Sequence, residues 1–553
     1  MGHLSSWPSG NKKIEKSNLS SRRRWIGLVF ISMAISLVII DGTIVNTIFP
    51  AIIDELGLSS TEVQWVQESY ILILASLLLV FGSIADRFGR KRMLNIGIVI
   101  FIIASVWAGL AESSTELILA RVVQGVGGAM VLPTTLSLVN ANFQGRERGI
   151  AFGIWGSTIG GMVAVGPVLG GWLATDFTWR WAFMINLPLG IIILAGLLWL
   201  VPESKSPQRA GGIDWTGAVI SVVMFSTLVF GLIEGRIYGW WTQTENQFSL
   251  GNFVWPADTI SVIPVALAIS VISGLAFVRW EIRQEKAHKN VILDLGLFSI
   301  TSFRNGSIAV GIISMGEFGL LFALPLWFQN VLGLSPISSG LVLLWLAVGA
   351  FLASAIGGAL SGKLPPARAV QAGVLLELTA VIGIALLAST ETGWVAVAPL
   401  LFVYGIGIGL ATAQLTGVVM QDVPMAQNGQ GSGSQSAVRQ VGSALGIAVL
   451  GTMLFTGVQG SLETRLQDTG LTSQQQAQVV EIVVDSAGGS IPVLDEILLP
   501  QQVSQQVVDD VIYQSGEAFT AGVHLAAWAA GLFLFLGFLS TFQLGRKSKV
   551  PLK

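Results

Sequence analysis

The chain has 553 residues, of which 52% are hydrophobic and only 11% charged, with 65 glycines and a mean hydropathy of +0.72. Soluble domains carry about a quarter charged residues, so this composition excludes a soluble enzyme and indicates a polytopic membrane protein. The net charge of −2 hides a segregation of charge between loops, and the absence of cysteine rules out disulfides, thiolate metal sites and a cysteine nucleophile.

Residues 1–24 are polar and basic and read as a cytoplasmic tail without fixed structure. Arg22, Arg23 and Arg24 then precede an apolar run, Trp25–Phe49, that is too long for a signal-peptide core. Thirteen further runs follow: Val63–Ala85, Met93–Ala111, Leu117–Val139, Ala151–Leu173, Trp181–Val201, Ile213–Ile233, Thr259–Trp280, Ser307–Val331, Ile337–Leu360, Ala369–Ala388, Trp394–Met420, Ser434–Val458 and Phe519–Thr541. Each is near the ~20 residues that a helix needs to cross a bilayer. The expected architecture is therefore an all-α polytopic membrane protein of fourteen transmembrane helices, with both termini on one side.

Sidedness follows from the basic residues. The turn Gly82–Met93 packs one acid and four bases between two apolar spans, and such turns collect on the cytoplasmic face. With that turn inside, 26 of the 30 Lys and Arg fall in cytoplasmic segments, Arg439 being counted at a helix end. Arg180, Arg236 and Arg465 fall outside, and Arg121 falls within the fourth span. Two outer loops stand apart. Residues 235–258 are rich in aromatics, as at a membrane interface, and residues 459–517 hold nine acids against Arg465. Within the latter, Gln474–Val484 and Gln501–Ile512 are expected to be short amphipathic helices over a solvated cap.

The chain also repeats itself. A shift of 276 residues places Gly82 on Gly358, Arg87 on Lys363, Gly97 on Gly373 and Asp41 on Glu317. This pattern suits two six-helix halves, residues 25–201 and 301–543, separated by an inserted helix pair at residues 213–280.

Several motifs carry a family resemblance. Gly82-x-x-x-Asp86-Arg87-x-Gly89-Arg90-Lys91 resembles the loop 2–3 signature of the major facilitator superfamily, and Arg121-x-x-Gln124-Gly125-x-Gly127 resembles its fourth-helix motif. Gly156, Gly160, Gly166, Pro167, Gly170 and Gly171 resemble its fifth-helix antiporter motif. Asp41-Gly-Thr-Ile-Val-Asn46-x-x-x-Pro50, Trp179-Arg180-Trp181-x-Phe183-x-x-Asn186-x-Pro188 and Arg439-Gln440-x-Gly442-x-x-x-Gly446 resemble the fourteen-helix drug:proton antiporters. The likeness runs from about Arg24 to Gly545. Two departures stand out: Gly362 replaces the acid that Asp86 supplies in the first half, and Trp345 stands where the resemblance implies proline, with a reshaped tenth span as the expected result.

Four residues are candidates for proton coupling and substrate binding: Asp41, Glu317, Arg121 and Glu377. A carboxylate is costly in hydrocarbon and readily takes a proton there. Asp41 lies about 25 Å along a helix from Arg24, and Glu317 about 20 Å from Arg304, so both lie past the midplane. Arg121 needs a partner at that depth, and Asp41 is the natural one; the resemblance implies a proton-relay role for it. A static interhelical bond is the alternative for each, and for Glu377 the two readings weigh equally. Glu68 and Glu234 fall near outer span ends and read as solvated.

Asp86, Arg87, Arg90 and Lys91 are expected to gate the cytoplasmic rim, with a plain topology signal as the alternative, and Arg439 and Gln440 are candidate cytoplasmic-side gating or cavity groups, with snorkelling as the rival. The fifth-helix glycines and Pro167 permit close packing and bending, and control of antiport is implied by resemblance alone. Tyr70, Phe318, Phe322, Trp327 and Phe328 are candidates for a drug-accepting cavity, with core packing as the rival. The scattered histidines form no metal site, and Gly357-x-x-x-x-Gly362-Lys363 lacks the strand and hydroxyl of a phosphate loop.

These features predict no catalysis and no cofactor beyond a proton gradient. The expected activity is proton-coupled export of a small amphipathic or cationic drug across a cell (inner or plasma) membrane. The expected protein is a monomer in contact with protons and membrane lipid and not with nucleic acid. An exporter of a lipid or endogenous metabolite, or a symporter, is the alternative on the same fold.

Overall fold

The computed structural model describes residues 21–544 apart from 59, 206–211, 236, 245–246, 251–252, 257–258, 288, 361–364 and 502. Residues 1–20, Gly362 and Lys363 therefore lie outside the described residues, as do the side chains at 46 and 50 and the surroundings of Gly160.

The first half holds α1 (Ser21–Leu56), α2 (Ser60–Phe88), α3 (Arg90–Gly109), α4 (Ser114–Asn142), α5 (Gly145–Asp176), α6 (Trp181–Met184) and α7 (Asn186–Leu200). α6 and α7 together make one span, Trp181–Leu200. The insert is α8 (Trp215–Ile233), a two-stranded antiparallel hairpin of β1 (Ser249–Leu250) and β2 (Phe253–Val254), and α9 (Val262–Lys286). The second half holds α10 (Thr301–Asn330), α11 (Pro336–Leu360), α12 (Pro366–Leu387), α13 (Trp394–Met420) and α14 (Asn428–Arg465). It continues through α15 (Ser473–Asp485) and α16 (Leu494–Leu498) to α17 (Gln505–Thr541).

Among the described residues, twelve stretches are long and apolar enough to cross a membrane, and α5 is a thirteenth if its bent halves count as one. α11 occupies the place of the expected tenth span and runs as one helix with Trp345 on its exposed side. The α5 bend of 40° near residue 164 lies just before Pro167, which lacks an N–H and crowds the preceding turn. Helix starts follow local chemistry. Ser113 caps α4 by accepting from the Glu116 N–H, Thr472 and Gln475 form a capping box on α15, and Gly89 turns the chain into α3 at φ 112°.

One expectation for the outer cap is corrected. α15 covers the first expected short helix, but the second is the outer beginning of the last span, α17. α14 likewise projects beyond Val458 to Arg465, so spans reach into the cap and shorten the loop. Apolar residues in both segments, such as Leu462 and Val508, are buried there and carry the helices outward.

The halves meet along two seams. α2 packs on α14, and α5 packs on α11 and α13. Glycine allows these approaches: a Cβ on Gly82 would fall 2.5 Å from the Gly429 carbonyl, and one on Gly156 would fall 3.2 Å from the Ala413 nitrogen. The inserted α8 and α9 pack on each other, and α8 leans on α2.

Candidate functional site

Asp41 on α1 and Arg121 on α4 form an ion pair at 2.5 Å with both side chains fully buried. The carboxylate also accepts from Gln124 Nε2 at 2.7 Å and from Asn186 Nδ2 at 2.9 Å. Ser105 anchors both amides, accepting at 2.7 and 3.1 Å. The guanidinium donates to the Val66 carbonyl at 3.0 Å and to Gln124 Oε1 at 2.7 Å, and lies 4.2 Å from the Tyr70 ring centre. Every strong polar group here has a partner, which is what allows two charges to persist in so dry a place. The paired charges attract strongly at this separation, so protonating Asp41 removes the main tie between α1 and α4.

The second half is looser. Glu317 on α10 meets Arg439 on α14 at 3.4 Å, and Arg439 also donates to Thr412 Oγ1 at 3.2 Å. Glu317 Oε1 and Arg439 Nε have no hydrogen-bond partner, and a cavity of about 10 Å³, room for one water, adjoins them beside Ser314 and Thr416. Tyr404 donates to the Glu317 backbone carbonyl at 3.3 Å. Glu377 on α12 is fully buried with both carboxyl oxygens unpartnered, in space that Gly407 leaves open.

Of the readings open to Arg439, the structure places it as a cavity group and not as a rim gate. It lies eleven residues into α14, about 16 Å from the helix start, because α14 begins at Asn428 rather than near Ser434. It belongs with Glu317 and not at the cytoplasmic rim.

At that rim, Asp86 ends α2 against the N-terminus of α14. It accepts from the Gly429 and Gln430 N–H groups at 2.7 and 3.1 Å, where the helix presents unsatisfied donors and partial positive charge. Arg90 bonds Asp86 at 2.6 Å and crosses to the Met425 carbonyl at 2.8 Å. Asn140 donates to Asn428 Oδ1 at 2.9 Å, and the Ser137 and Ser432 hydroxyls bond each other, so the cytoplasmic end is sealed. Arg87 and Lys91 take no part in the seal. Arg87 is exposed over Phe88, and Lys91 bonds the Leu198 carbonyl and Glu203 within its own half.

The fifth-helix motif serves two neighbours. Gly166 and Gly170 lie against the α1 backbone at Ile40 and Ile44, while Gly156 faces α13 and Gly171 meets Ile337 of α11. Of the aromatic candidates, Trp327 and Phe328 are fully buried core, with Trp327 bonded to Thr520, and Tyr70 is held under Arg121 with its hydroxyl on the Val38 carbonyl. Phe318 lies 6.0 Å from the Arg439 guanidinium, and Phe322 packs near Gly451.

Glu234 contradicts the expectation of solvation, whereas Glu68 is half-buried. Glu234 is 2% exposed and hydrogen-bonds Glu68 across α8 and α2. Sequence reasoning also left Ser105, Gln124, Asn186 and Thr412 without roles. Gln124 and Asn186 sit inside quoted motifs, but only their three-dimensional convergence on Asp41 distinguishes them.

Residues 31–447 match the family described as Major Facilitator Superfamily. The chain is 32% identical to a probable actinorhodin transporter of Streptomyces coelicolor, over 87% of this chain and 80% of that one. It is 30% identical to a multidrug efflux pump of Mycolicibacterium smegmatis, over 90% and 93%, and 28% identical to a tetracenomycin C resistance and export protein of Streptomyces glaucescens, over 96% and 94%. Its fold resembles that of a human organic anion transporter with a TM-score of 0.58 at 12% identity, covering 95% of this chain and all of the other.

Proposed function

The chain belongs to the major facilitator superfamily, and from that premise we propose that it exports amphipathic or cationic drugs across the cell membrane in exchange for protons. The observation that carries this reading is the buried Asp41–Arg121 pair, a titratable tie between two helices of the first half. Glu317 supplies a second carboxylate in the other half, with an open valence beside a water-sized cavity, and Glu377 lies buried nearby without a partner. Relatives named for multidrug efflux and for antibiotic export support a small-molecule cargo.

In the proposed cycle, the cytoplasmic seal at Asp86 and Arg90 parts to admit substrate while Asp41 or Glu317 is ionised. Protons arriving from outside then neutralise these carboxylates, free Arg121 or Arg439, and favour release outward. The only bonds made or broken in these steps are the O–H bonds of the carboxyl groups that take up and give up the proton.

The test is the pH change when a lipophilic cation is added to purified protein in weakly buffered detergent. Wild type should release protons, and Asp41→Asn or Glu317→Gln should release fewer. Coupled transport retained in Asp41→Asn would refute the role of the first pair. A single defined compound such as an endogenous metabolite, in place of many drugs, is the second reading of the cargo, in keeping with the relatives named for actinorhodin and for tetracenomycin C. Absence of proton release with every cation, in folded protein, would favour it.

A further inference from the structure

The outer half of α2 carries a second acidic contact that the transport cycle above does not use. Glu68 faces Glu234, the residue that ends α8, and the two carboxyl groups hydrogen-bond each other. The Oε2 atom of each is buried with no other partner. Two carboxylates in contact with little water cannot both stay ionised, so one of them must carry a proton that the other accepts.

The surroundings cover Glu234 and half-bury Glu68, and among the described residues they offer no compensating base. Trp65, one turn earlier on α2, stacks on Phe230 of α8 with ring centres 6.3 Å apart, and its indole N–H bonds the Tyr238 hydroxyl. Tyr238 packs in turn on Phe230 and Phe248, over the apolar Val262 and Ile263 at the start of α9. Burial pushes the Tyr238 hydroxyl up to about 12, so it stays neutral beside the pair. On the opposite side of α2, Arg121 grips the Val66 carbonyl but is committed to Asp41 of α1. Glu62, farther out on α2, accepts from Ser114 of α4. Asp86, the α2 acid that meets α14, lies at the other end of the helix. Among the described residues, neither Glu68 nor Glu234 forms an ion pair with a lysine or arginine.

We propose that Glu68 and Glu234 hold one proton between them, forming a proton-binding site separate from Asp41 and Glu317 that clamps the α8–α9 hairpin to the outer half of α2. The consequence reaches the gate, because α2 carries this clamp at one end and Asp86 at the other. Losing the shared proton leaves two like charges in contact and parts α8 from α2. The clamped form holds one more proton than the parted form, so parting grows as pH rises, by up to about tenfold per pH unit over the range in which the clamped form keeps that proton and the parted form has lost it. The site does not depend on antiport: it stands on the contact itself.

Two measurements on the purified full chain test it. Infrared spectra at neutral pH should show a protonated-carboxyl band in wild type that Glu68→Gln/Glu234→Gln loses, with Asp41 and Glu317 intact. Hydrogen exchange at residues 224–234, corrected for the intrinsic pH effect, should accelerate with pH in wild type. It should stay flat in Glu234→Gln, whose amide donates to Glu68 at every pH. An unchanged carboxyl band in the folded double variant would overturn the proposal. So would the wild-type pH dependence of exchange persisting in Glu234→Gln, a single variant that serves if the double one fails to fold. Loss of proton-coupled transport with this behaviour intact would instead count against the antiport reading alone.

Discussion

Neutralising Asp86 should open the cytoplasmic end. Its carboxylate accepts two backbone N–H groups of α14, at 2.7 and 3.1 Å, and orients Arg90, whose Nη2 bonds Asp86 and also crosses to the Met425 carbonyl. Hydrogen bonds to a charged group contribute about 1.5–3 kcal/mol each and neutral ones about 0.5–1.5. Asp86→Asn keeps the shape but one accepting oxygen in place of two, so one bond falls from charged to neutral and the other is lost, a net loss of at least about 2 kcal/mol. That is a shift of at least about 30-fold toward the cytoplasm-open form. The protein has no native cysteine, so a single Ser432→Cys reports the buried seam without background. Its maleimide labelling rate from the cytoplasmic side should rise at least about 30-fold when Asp86→Asn is added. An unchanged rate in folded protein would show that this charge does not hold the seam shut.

Two further predictions separate residues that the sequence groups together. Arg90→Ala should raise the same labelling and impair export, because Arg90 reaches across to Met425. Arg87→Ala should leave both near wild type, because Arg87 is exposed and contacts its own half, and equal defects in transport assays would refute this distinction. Arg121→Lys keeps the charge but cannot satisfy Val66, Asp41 and Gln124 together. A loss of about 2–3 kcal/mol follows from one or two missing charge-assisted bonds, read as a lower midpoint of thermal unfolding. An unchanged midpoint would mean that the network adds little to stability.

Much of the molecule was legible before any coordinates. Asp41 had to find a base and Arg121 an acid, because neither charge is tolerable alone in hydrocarbon, and the two meet. Asp86 and Arg90 were expected to act together at one end of the helices, and there they bond the start of α14 and the Met425 carbonyl. The errors share one cause: a helix end is weakly marked when the flanking residues are small and polar. The run from Asn428 to Ser434 is rich in Gly, Ser and Gln and reads as a loop, yet it is buried helix against α2, and that carries Arg439 away from the helix end to Glu317. At the outer side, Glu234 follows the last apolar residue of α8 and reads as exposed, whereas the aromatic loop folds over it.

The membrane environment and the order of the helices are written in the chain, because hydropathy acts segment by segment and needs no neighbours. Partner choice is another matter. The repeat relates Asp41 to Glu317, yet Asp41 pairs with the fourth helix of its half and Glu317 with α14, so the symmetry of the chain does not extend to its ion pairs. Which buried charge meets which, and which stays unpaired, depends on how helices distant in sequence are rotated against one another. Only tertiary packing fixes that rotation, since a turn of one helix by a single residue, about 100°, exchanges one partner for another.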